Sequence, residues 1–69
     1  MTEQRKHQLL LEVATLGLAV SDLAWDGRLA LVRGDAPEVE YAASKAVIKA
    51  TRALRIMQAI QADMDPIDL

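Results

Sequence analysis

The chain has no cysteine, no phenylalanine, one histidine and only two aromatic residues, Trp25 and Tyr41. Without cysteine there can be no disulfides and no thiolate metal sites, which fits a reducing compartment. His7 stands alone beside Arg5 and Lys6 and cannot build a metal centre by itself. With so few aromatics the core must be aliphatic, and a large share of it is alanine. Gly27 and Gly34 are isolated, so no phosphate-cradling loop is present. The stretch from Leu9 to Trp25 carries Glu12 and Asp22, and is too short and too charged to read as a membrane span. Arg5, Lys6 and His7 ahead of Leu9 to Val20, with small residues at Ala19 and Ser21, imitate a secretory signal, but Glu12 interrupts the apolar region. The expectation is a cytoplasmic protein with no membrane partner.

What remains is 69 residues of which 52% are apolar, too many for a disordered chain and too few in absolute number for a comfortable single-chain core. With disulfides and metal excluded, association is the remaining route to stability. The net charge of -2 argues against non-specific binding to polyanions as the main role.

Apolar residues recur at alternating spacings of four and three. One row is Leu9, Val13, Leu16, Val20 and Leu23; a second is Val39, Ala43, Ala46, Ala50, Ala53, Met57, Ile60 and Met64. A 3.5-residue recurrence sustained this long predicts helices packed along their length. Helix one is expected from about residue 2 to 33, with Thr2 as N-cap, Glu3 in the first turn and Gly34 as the C-terminal glycine. The competing reading breaks it at Asp26-Gly27 and makes a short strand of Leu29 to Val32. Helix two is expected from about 36 to 63. Asp35 caps it, Pro37 sits in the first turn and Glu38 stands three residues after the cap. Pro66 is expected to stop it, leaving a frayed acidic tail over 65–69.

A short turn at Gly34 makes the helices antiparallel and sets Leu23 near Ala46, Val20 near Ala50, Leu16 near Ala53, Val13 near Met57 and Leu9 near Ile60. The fold class is therefore all-α, an antiparallel helical hairpin forming a single domain. About 240° of helix one is apolar or small at 100° per residue, whereas one neighbouring helix hides roughly 100° to 140°. Leu11, Leu18, Trp25, Leu29 and Val32 are left over. Burying four such side chains contributes on the order of 6 to 12 kcal/mol before ordering costs, comparable with the whole stability of a small domain. A second copy, giving a dimeric four-helix bundle, would cover them; so would another protein gripped by these five residues.

Lys45, Lys49, Arg52 and Arg55 form a basic stripe on helix two. It reads either as a docking face for an acidic partner or for phosphates, or as a solvated face in which Asp22 approaches Lys49 and Asp26 approaches Lys45. Asp63, Asp65 and Asp68 lack the spacing and the glycine of a calcium loop and read as solubilising. Ser21, Ser44, Thr15 and Thr51 have no neighbouring base, so an enzyme is not expected, and no catalytic, cofactor or metal residues are assigned.

Two helices of equal length, a short turn and expected dimerisation make the chain similar in architecture to the Rop family of plasmid copy-number proteins, RNA-binding four-helix dimers. Met1-Thr2-Glu3-Gln4-Arg5-Lys6 has a similar look. The polar outer face with which that family contacts RNA is replaced here by Leu11, Leu18 and Trp25. In size, acidity and lack of cysteine the chain also resembles small bacteriophage accessory proteins that inactivate host proteins, such as anti-CRISPR proteins and quorum-sensing anti-activators. That resemblance implies inhibition of a host protein, for instance a transcription regulator, by occupying its surface, and the surplus apolar face of helix one adds the expectation of a homodimer. The alternative is an RNA- or DNA-binding regulator that uses the basic stripe.

Overall fold

The computed structural model describes residues 1–66. Two helices account for nearly all of them: α1, Glu3–Arg33, and α2, Ala36–Ala62. The hairpin measures 47 × 18 × 14 Å. Its long dimension is that of one helix of 31 residues at about 1.5 Å per residue, so the helices lie side by side.

The ends of α1 follow local chemistry. Thr2 is extended and its Oγ1 accepts a 3.1 Å hydrogen bond from the Arg5 amide, while Gly34 closes the helix in the left-handed region at φ 74°. The Gly34 amide donates to the Leu31 carbonyl and the Asp35 amide to that of Ala30, satisfying carbonyls that would otherwise be orphaned. In α2 the Asp35 carboxylate accepts from the Glu38 amide at 3.2 Å, and Pro37 lies in the first turn.

The strand alternative fails, since Asp26, Gly27 and Leu29 to Val32 are all helical. Gly27 faces Ala42, and packing along α2 outweighs the roughly 1 kcal/mol that a helical glycine costs. Nor is Pro66 what stops α2. Asp63 takes a left-handed conformation at φ 55°, and the Met64 amide folds back on the Ala59 carbonyl. The tail was expected to fray from Asp65, yet Asp65 is bound to Arg5. The rest of that expectation, Ile67 to Leu69, lies outside the described residues.

The seam corrects one row and keeps the other. On α1, Leu9 is buried and Val13, Leu16, Val20 and Leu23 are half-buried, as their spacing predicts. On α2 the row is rotated: Ala42, Ile56 and Ala59 are buried, while Ala43, Ala50, Met57 and Met64 are exposed. Val39, Ala46, Ala53 and Ile60 are half-buried in the seam and belong to both registers. The choice therefore falls on the positions between them. The packed register buries the β-branched Ile56 and accepts a half-buried Lys49, because a lysine can lay its methylene stem along an apolar surface. The longitudinal alignment agrees with expectation, for a Cβ built on Gly27 would lie 3.5 Å from the Ala42 Cβ.

Candidate functional site: two apolar surfaces and a basic groove

Leu11, Leu18, Trp25 and Val32 are separated by seven residues each. Seven residues are almost two helical turns, so the four side chains form one line, about 10 Å apart, along the outside of α1. Their exposures are 58, 70, 58 and 79%, and Leu29 beside them is 44% exposed. The five residues singled out in the sequence are thus brought together on the side of α1 turned away from α2. The Arg28 guanidinium lies 5.3 Å from the centre of the Trp25 ring, within cation–π range. Within one chain, Trp25 is not a core residue.

The rotated seam creates a second apolar surface that the sequence reading missed. With Ala43, Ala50 and Met57 turned out of the seam, they join exposed Val47 and Leu54 in a new row on α2, again at spacings of four and three. On α1 the exposed Leu10, Ala14, Gly17, Ala24 and Leu31 lie on the corresponding flank. In an antiparallel pair, flanks reached by turning in the same sense from the seam fall on the same side of the hairpin, so these rows form one broad face. Glu12 and Arg52 lie on the opposite flanks, and their ion pair closes the other side. The signal for the second row was present in the spacing of 43, 47, 50, 54 and 57, but was absorbed by the expected seam.

That other side carries the basic residues. Arg52 donates from Nη2 at 2.6 Å and from Nε at 3.0 Å to the same Glu12 oxygen. The expected pairs Asp22 with Lys49 and Asp26 with Lys45 do not form among the described residues. Lys45 instead lies 5.6 Å from the Tyr41 ring centre. Beside Arg52 is an open groove of about 550 Å³, with Leu9 and Ile56 in its floor, Ile48, Thr51 and Pro66 in its walls, and Arg55 at its edge.

Asp63 and Asp65 are structural in a way their sequence did not suggest. The Met1 ammonium lies 3.1 Å and Lys6 Nζ 3.9 Å from Asp63, and Arg5 is bidentate on Asp65. The hydrogen bond from the terminal ammonium, then its charge, then that of Lys6, hold the Asp63 carboxyl below the usual carboxylate range. His7 is exposed, and no group of three metal-ligating side chains occurs among the described residues.

The apolar stretch from Leu9 to Trp25 lies within the longer helix α1. A window of 18 residues within the helix reaches a mean hydropathy of 1.3, enough by length and composition to cross a membrane. Helix α2, with Lys49 half-buried and Arg52 ion-paired to Glu12, is packed along that same helix and would have to accompany it, at the cost of burying charge. Comparison with protein-family models, with curated proteins and with solved structures yields no match.

Proposed function

We propose that this is a small non-enzymatic binding protein, a homodimer that inhibits or adapts a host protein, such as a transcription regulator, by occupying its surface in the cytoplasm. The observation that carries the reading is the outer line of Leu11, Leu18, Trp25 and Val32 with Leu29, all exposed and all facing away from α2. Contiguous apolar patches of this kind mark interaction sites, and Trp is among the residue types most enriched as binding anchors.

The two apolar surfaces divide the work. The broad face is lined by small residues, Ala14, Gly17, Ala24, Ala43 and Ala50, which let helix axes approach closely, and it spans both helices. It suits a second copy packed as a four-helix bundle. The line through Trp25 points further outward and stays available to another protein.

The test is capture of partners from the native host by the tagged protein, identification by mass spectrometry, and titration of the purified partner against Trp25→Ala and Leu29→Ala. Each substitution is expected to weaken binding about tenfold or more with helix content unchanged. Full affinity in both variants would overturn this contact map.

A regulatory dimer that binds RNA or DNA through Lys45, Lys49, Arg52 and Arg55 is the second reading. In its favour, Lys49 and Arg55 have no carboxylate partner among the described residues. Glu12 on the same side weighs against it. Such binding would fall steeply with salt, and a salt-insensitive or absent shift with both nucleic acids would remove it.

A further inference from the structure

The groove beside Arg52 is separate from the line through Trp25 and meets the broad face only at Val47, which lines both. It lies on the side of the hairpin closed by the Glu12–Arg52 pair. Its chemistry is mixed: Leu9 and Ile56 supply an apolar floor, Ile48 is an exposed apolar wall, and Arg55 adds a guanidinium with no carboxylate partner among the described residues. Arg52 spends its Nε and Nη2 on one oxygen of Glu12, so the Glu12 carboxylate fixes that side chain while its Nη1 remains a donor.

We propose that this groove is a docking site for an acidic amphipathic helix of another protein. An apolar side chain of that helix would lie between Ile48 and the floor, and flanking carboxylates would meet Arg55 and the free Nη1 of Arg52. Guanidinium groups suit carboxylates because their planar donors match the two oxygens. One observation selects a protein helix over a nucleic acid: the interleaving along α2 of Tyr41, Lys45, Ile48, Arg52 and Arg55, in which exposed apolar side chains are interspersed with cations at the spacing of one helix face. A polyanion makes no use of Ile48, whereas an amphipathic helix with leucines bordered by glutamates does. This site shares no residue with the line through Trp25, so its failure and the failure of that reading are separate results.

The experiment is an amide NMR titration of the full chain with a helical peptide carrying leucine on one face and glutamate on both borders. Shifts are expected to concentrate at Leu9, Ile48, Thr51, Arg52 and Arg55. Arg55→Glu is expected to weaken binding about tenfold or more, while Arg33→Glu, an equal change of charge at the far tip, leaves it within about twofold. Amide dispersion reports that each variant is folded. The proposal is overturned if the peptide does not bind, if Arg33→Glu weakens binding as much as Arg55→Glu, if the shifts map to the Trp25 side, or if a single-stranded RNA displaces the peptide from the same residues.

Discussion

Gly27 on α1 and Ala42 on α2 are packed face to face, so close that the Cβ of an alanine at position 27 would touch the Ala42 Cβ at 3.5 Å without overlap. The glycine is thus not required by contact, and it costs the helix stability. Gly27→Ala is expected to raise the stability of the fold by about 0.5 to 1 kcal/mol, measured by urea unfolding. Gly27→Leu is expected to lower it, because the larger side chain has no room in the same seam.

Gly34 differs from Gly27 in kind. Its φ of 74° lies in a region that L residues enter at a cost, so Gly34→Ala is expected to destabilise the chain by about 1 kcal/mol. The check is the same unfolding experiment, and the signs at positions 27 and 34 should be opposite.

Gly17 separates the hairpin from its proposed dimer. A Cβ there meets nothing within 4 Å of its own chain, so Gly17→Ala should stabilise an isolated hairpin by about 0.8 to 1 kcal/mol. Gly17→Leu should weaken self-association measured by sedimentation, since the face on which Gly17 lies is the one assigned to the second copy.

The Asp63 clasp sets a dependence on pH. Its folded carboxyl titrates below the ordinary value, which is about 3.9 in an unfolded chain. The favourable contribution is therefore complete above that value and is lost as pH falls through the depressed folded one. Asp63→Asn, which keeps a residue type tolerant of the left-handed conformation, should be less stable than the wild type at neutral pH. The difference should vanish in acid, as followed by thermal unfolding between pH 7 and pH 2.

Most of the architecture was legible in the sequence because it rests on local rules. Asp35-Ala36-Pro37-Glu38 announces a helix start, and Gly34 announces a stop, through backbone chemistry that needs no partner. The rotation of α2 was not legible. Val39, Ala46, Ala53 and Ile60 fit two registers equally, and only the competition between Ile56 and Met57 for the space beside α1 decides. That choice turned Ala43, Ala50 and Met57 outward and produced the broad face. The line through Leu11, Leu18 and Trp25 was legible because it lies opposite the seam of α1, where the two registers of α2 make no difference. The role of Asp63 and Asp65 was hidden because their partners Met1, Lys6 and Arg5 are some sixty residues away along the chain.

The account depends on α1 presenting more apolar surface than α2 covers, so that another polypeptide lies against the hairpin. Sedimentation equilibrium across micromolar concentrations tests this most directly, because the chain mass is 7.6 kDa and a pair is twice that. The prediction is a reversible dimer throughout that range. A monomer at every concentration, stable and showing no exposed apolar surface to a hydrophobic dye, would contradict it.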